Sequence, residues 1–196
     1  MPPIRLGIIG CGIAARELHW PALREMARQF KVTMVCNRTA PKAKSFAKLA
    51  GGVPWVQDYH ELLASDTVDA VDIILPVDLN YTVTRDALKA GKHVIVEKPM
   101  AANRREGREM VRLAKKHGGL VTMVAENFRY MPTFLRMKKV LDSGDLGEVY
   151  AAHWNAFAEM NPKTSPYAKT SWRVNHQFPG GFLTDGGVHF IHGIRV

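Results

Sequence analysis

From its first residues the chain alternates short apolar runs with longer amphipathic stretches. Residues 4–10 form a run suited to a buried strand, 15–29 carry apolar positions at helical spacing, and 31–37 are strand-like again. Residues 42–50 predict a helix and 55–57 a short strand. The stretch 70–76 is strongly strand-like, with Ile73, Ile74 and Leu75 in succession. Residues 80–90 predict a helix that stops at Gly91, where a C-capping glycine belongs. A strand over 93–97 follows. Asn103 and Glu106 have the spacing of a capping box that opens a helix running to His117 and ending at Gly118-Gly119. Residues 120–126 close the series as a sixth strand. Helices alternating with near-continuous apolar strands predict an α/β domain whose doubly wound parallel sheet is covered on both faces.

The rhythm changes after residue 127. Pro132 begins a helix that ends near Ser143-Gly144, and Gly147 introduces a long strand over 148–157. Residues 159–179, with Pro162, Pro166 and Pro179, read as a loop, and Gly180-Gly181 precedes a segment that looks helical to the end. One strand and one helix cannot build a core alone. The expected division is therefore 1–127 for the α/β domain and 128–196 for the start of an α+β domain with an incomplete open sheet. The strand at 148–157 would then present an unpaired edge.

Composition narrows the class. The 196 residues are 46% hydrophobic and carry 27 Lys and Arg against 18 Asp and Glu, a net charge of +9. Disorder, collagen and coiled coil are excluded. No apolar run approaches the ~20 residues of a membrane span, and the run at 6–9 leads at once into a glycine turn rather than a leader's cleavage site. The basic balance raises nucleic acid as a partner. However, the charges are scattered over predicted helices without interleaved aromatics, which favours a solvated surface with a few charges kept for an anionic ligand. Cys11 and Cys36 lie in predicted buried strand ends without metal-ligand spacing, so reduced core thiols and a cytoplasmic setting are expected.

Four stretches carry candidate chemistry. Gly10-Cys11-Gly12-Ile13-Ala14-Ala15, between the first strand and first helix, fits the dinucleotide fingerprint in its Ala-ending form. The first glycine allows a tight turn, the second a close approach of pyrophosphate, and the small third residue lets helix pack on strand. At the end of the second strand stand Asn37-Arg38-Thr39, with Lys42 beyond, where an NAD site would carry an acid. A guanidinium grips a 2′-phosphate that an acid would repel, so NADP(H) is preferred, with NAD(H) as the alternative. Glu97-Lys98-Pro99 ends the fifth strand and emerges at the cofactor crevice, where a lysine can stabilise charge on a substrate oxygen. Asp185 and His189, four apart in a helical segment, would share a face, the carboxylate orienting the imidazole for acid/base work. His192 raises an Asp-His-His metal cluster, but no matching ligands stand elsewhere and no metal is expected. His19, His60, His93, His117, His153 and His176 form no constellation.

Together these residues resemble the glucose-fructose oxidoreductase / inositol dehydrogenase / rhizopine-catabolism family, Gfo/Idh/MocA. Further carriers of the resemblance are Leu75-Pro76, Asn127-Phe128-Arg129-Tyr130 with Pro132, Gly144 with Gly147, Trp172-Arg173, and the stretch from Gly180 to His189. The resemblance implies a Rossmann domain followed by an α/β domain, acting with NAD(P) on a hydroxyl or carbonyl carbon of a sugar, polyol or related small molecule. It implies that Lys98 contacts substrate, that Asp185 and His189 are the acid–histidine pair, and that Trp172 and Arg173 lie near the cofactor with Leu75 and Pro76. Asn80 replaces a frequent histidine and could still hydrogen-bond near the nicotinamide. His192 stands where many relatives carry Asp. The family continues well past residue 196, so a fragment or truncated product is expected here, and a homo-oligomer for a full-length form. A catalytically impaired, cofactor-sensing relative and a glycoside-cleaving relative using tightly held NAD are the alternatives.

Overall fold

The computed structural model describes residues 2–155, 163–165, 167–175 and 181–195, excepting the side chains of Ser171, Trp172 and Phe182. It divides into two compact units, Met1–Val124 and Ala125–Val196. The expected division at residue 127 lies three residues further along.

In the first unit, β1 (Ile4–Ile9), β2 (Phe30–Cys36), β3 (Trp55–Val56), β4 (Ala70–Ile73), β5 (His93–Val96) and β6 (Thr122–Val124) form one sheet in the order β3-β2-β1-β4-β5-β6. Every pair is parallel. The chain winds outward from β1 to β3 and then returns to place β4 on the other side of β1. That reversal opens a crevice at the carboxyl ends of β1 and β4.

Between the strands run α1 (Trp20–Glu25), α2 (Ala40–Leu49), α3 (Tyr59–Leu63), α4 (Val77–Lys89) and α5 (Arg104–Lys116). Successive strand residues face opposite sides of a sheet. Ile8 and Val35 accordingly join Phe46 and Ala47 of α2, whereas Ile9, Val71 and Ile73 join apolar residues of α3, α4 and α5. Each covered face is a core in its own right.

Several elements differ from the sequence expectation. The helix expected over 15–29 ends at Glu25 and begins with a π turn, Ala15–His19. Pro21 cannot donate to the carbonyl four residues back, and the wider turn before it accommodates the missing bond. Helix α3 was not foreseen. Five residues are too few to show a period, and only Asp58, whose side chain accepts the His60 N–H at 2.9 Å, marks its start. The cap at Asn103 is formed as expected, Oδ1 accepting the Glu106 N–H at 3.0 Å.

The second unit holds a 3₁₀ turn (Asn127–Tyr130), α6 (Pro132–Asp142), α7 (Ser171–Val174), α8 (Gly181–Asp185) and α9 (Gly187–Ile194). Buried Phe134 packs on Phe128 and Trp154, with ring centroids 5.3 and 5.4 Å apart. Gly193 lies under it, where a side chain would collide with the Phe134 ring. The strand expected over 148–157 is absent across 148–155, and 156–157 lie outside the described residues. A strand exists by pairing, and the described residues of this unit supply no partner for it. The terminal helical segment is broken at Gly186.

Candidate active site

The turn after β1 is built around two glycines with different duties. Gly10 has φ 105°, and a Cβ there would meet the Ile74 carbonyl oxygen at 2.1 Å, so only glycine fits where β1 passes β4. At Gly12 a Cβ would meet nothing within 4 Å. The backbone is therefore open on that side, as close approach of a pyrophosphate requires. The chain becomes helical at Ile13, leaving the first-turn amides of Ile13 and Ala14 as donors without intrahelical acceptors. Ala15 is fully buried against the sheet.

Beside the turn, Asn37 Oδ1 accepts the Cys11 N–H at 3.0 Å, and the Cys36 carbonyl accepts the Gly10 N–H at 2.9 Å. Asn37 thus holds the glycine turn itself, which its expected role toward either cofactor did not include. Arg38 is exposed on the β2–α2 connection and Lys42 is exposed in the first turn of α2. Cys11 and Cys36 are free and buried. Burial pushes their thiols up to about 11 and about 12, so neither forms a thiolate near neutrality.

Leu75 and Pro76 follow β4, with Pro76 preceding the first residue of α4. Glu97 and Lys98 follow β5, where sequence placed them. The Glu97 carboxylate, though, is turned to the protein. Its Oε1 lies 2.8 Å from His19 Nε2, and its Oε2 accepts the Lys98 N–H at 2.9 Å. His19 Nδ1 meets Asp72 Oδ2 at 2.7 Å, so one half-buried imidazole bridges two carboxylates. Burial alone would lower its pKa; the hydrogen bonds to Asp72 and Glu97 outweigh that and raise it to about 10. His19 was not foreseen in this role. Its partners lie 53 and 78 positions away, and no local spacing encodes them.

Asn80 has a structural role that its sequence position did not announce. It is fully buried, and its Nδ2 donates to the carbonyls of Glu97 and Pro99 at 3.0 and 2.9 Å. Through these two bonds it straps the Glu97-Lys98-Pro99 turn.

In the second unit the expected Asp185–His189 pairing is replaced. Asp185 ends α8 and His189 belongs to α9, with the break at Gly186 between them. Arg173 Nε donates to Asp185 Oδ2 at 2.7 Å, the kind of fork contact that holds a carboxylate strongly. His189 instead sets Nδ1 2.6 Å from Glu126 Oε1 and stacks on Phe128 with centroids 4.6 Å apart. Glu126 carried no signal in the sequence beyond its place before Asn127. The Trp172 side chain, Gly180 and His176 lie outside the described residues. Among the described residues no cluster of three or more His, Cys, Asp or Glu could hold a metal ion, and no helix is long and apolar enough to cross a membrane.

Comparison with known proteins bears on the same residues. The sequence profile of the Gfo/Idh/MocA oxidoreductase family, NAD-binding Rossmann fold, matches residues 4–125, and that of the family's C-terminal domain matches 134–196. The chain is 34% identical over 193 residues to dTDP-3,4-didehydro-2,6-dideoxy-alpha-D-glucose 3-reductase of Actinomadura kijaniata, covering 96% of this chain and 54% of that protein. The crystal structure of an oxidoreductase from Thermotoga maritima superimposes with a TM-score of 0.90 at 41% identity, over 98% of this chain and 59% of that one. The 3-ketoreductase KijD10 from A. kijaniata, crystallised with NADP and TDP-benzene, gives a TM-score of 0.66 at 36% identity over 72% of this chain and 43% of its own. The chain spans about half the length of the curated relatives it matches. Two profiles of one family, met in order along the chain, lead to one conclusion: this chain belongs to the Gfo/Idh/MocA oxidoreductases.

Proposed function

We propose that the protein is an NADP(H)-dependent oxidoreductase acting on a hydroxyl or carbonyl carbon of a sugar, polyol or related small molecule. The observation that carries the reading is the open backbone at Gly12 beside a Gly10 that no other residue can replace. A pyrophosphate fits there against first-turn amides. Arg38 on the β2–α2 connection and Lys42 in the first turn of α2 are exposed and suit a 2′-phosphate, while the position lacks the acid that would hold a ribose diol. NADP in the KijD10 crystal and a sugar-nucleotide substrate in the name of the A. kijaniata reductase support the same reading.

The coenzyme, when bound, supplies or takes up the hydride. The chain's own residues handle the oxygen. In the oxidative direction the substrate C–H pair leaves as hydride, the O–H proton passes to His189, and a C=O bond forms. Lys98, at the crevice beyond β5, is suited to hydrogen-bond a substrate oxygen and stabilise negative charge that develops on it. The turn that bears Lys98 is fixed by Asn80 and by the Glu97 carboxylate, which limits reorganisation during the step. Asp185 holds Arg173 in place.

The test is nicotinamide absorbance against a panel of aldoses, keto-sugars and inositols. Lys98→Ala and His189→Ala should each lower turnover by on the order of 100-fold or more while coenzyme affinity stays within about twofold. Full turnover in both variants would overturn the assignment.

A further inference from the structure

The acid/base histidine has a carboxylate partner, and it is not the one four residues before it. We propose that Glu126 is the positioning residue of His189, holding the imidazole with Nδ1–H toward the protein and Nε2 as the atom that exchanges a proton with substrate. This rests on His189 being the proton carrier, as argued above.

Three observations carry it. The Nδ1–Oε1 separation of 2.6 Å is that of a charge-assisted hydrogen bond, and the Glu126 side chain is only 8% exposed. The same Oε1 accepts the Phe128 N–H at 3.1 Å, so the carboxylate is anchored by the 3₁₀ turn it caps. The His189 ring lies on Phe128 with planes 21° apart, which fixes its orientation as well as its position. Meanwhile the nearer carboxylate in sequence, Asp185, is engaged by Arg173. A carboxylate accepting from Nδ1–H leaves a lone pair on Nε2, the tautomer a general base needs. Glu126 Oε2 is buried with no hydrogen-bond partner among the described residues. That oxygen leaves the carboxylate's charge poorly compensated except by the imidazole, which tightens its hold on His189.

Glu126→Gln is the informative variant. Its amide oxygen can still cap the Phe128 N–H, so the turn is kept while the carboxylate is lost. Nitrogen-15 NMR of the imidazole should show the Nδ1–H tautomer in the native protein and a mixture in Glu126→Gln. Turnover in the variant should fall on the order of 100-fold with KM nearly unchanged. A purely structural role would add to the loss in His189→Ala, whereas a positioning role makes Glu126→Gln/His189→Ala no slower than His189→Ala alone. Formate should partly restore turnover in Glu126→Ala. An Nε2–H tautomer in the native protein, or full turnover in Glu126→Gln when His189→Ala is inactive, overturns the proposal while leaving the role of His189 standing. Full turnover in His189→Ala removes the foundation of both.

Discussion

A methyl group added at Gly10 would be driven into the Ile74 carbonyl, while one added at Gly12 would enter open space. The two substitutions should therefore separate folding from binding. Gly10→Ala is expected to cost at least about 2 kcal/mol of stability, from the left-handed backbone and the clash together. Gly12→Ala should leave the melting temperature nearly unchanged and weaken coenzyme binding at least tenfold. Calorimetric titration beside thermal denaturation reads both effects, and equal stability losses would contradict the division of duties. The tight turn at Gly10 was legible in sequence because its requirements are local, with the glycines and the small Ala15 falling within six residues. His19 and Glu126 were not legible. Each is defined by partners 53 to 78 positions away, and a single sequence encodes such pairs only through the fold.

At the scale of elements, the His19 bridge ties the first helical segment to β4 and to the end of β5. The groups facing its imidazole are Asp72 from β4 and Glu97 after β5. Its folded pKa of about 10 lies above the ordinary 6.5, so the folded chain holds an extra proton between those values. The contribution to stability is thus complete below about pH 6.5 and disappears as pH climbs through about 10. Thermal denaturation of the native protein and His19→Gln should show a gap that is widest near pH 6 and narrows steadily to pH 10. A constant gap would mean that the imidazole is not charged in the folded state. The elements themselves were legible to unequal degrees. Strands β1, β2, β4 and β5 announce themselves because burial on both faces favours near-continuous apolar runs. Helix α3 and the segment at 148–155 do not, one because it is too short to be periodic, the other because β-like composition has no meaning without a partner strand.

For the whole molecule, the 27 Lys and Arg behind the charge of +9 are scattered along the sequence. A positive field speeds and strengthens binding of anionic small molecules and is screened over about 10 Å at 0.1 M salt. If Arg38 and Lys42 grip a 2′-phosphate, raising ionic strength from 0.05 to 0.5 M, on the order of a tenfold change, should raise KM for NADPH several-fold more than KM for NADH. Parallel rises for the two coenzymes would argue that the 2′ position is not read electrostatically. The strand order was legible only as a class, since alternation of strand and helix dictates parallel pairing but not which strand neighbours which.

Asn37 gives this architecture a further property. Its side-chain oxygen is already committed to the Cys11 amide, so the end of β2 and the phosphate turn are one mechanical piece. If the coenzyme binds as proposed, evolution of coenzyme choice is thereby channelled: exchanges at Arg38 or Lys42 would retune the adenosine end alone, whereas an exchange at Asn37 would disturb the turn on which both coenzymes would rest and sacrifice affinity along with selectivity.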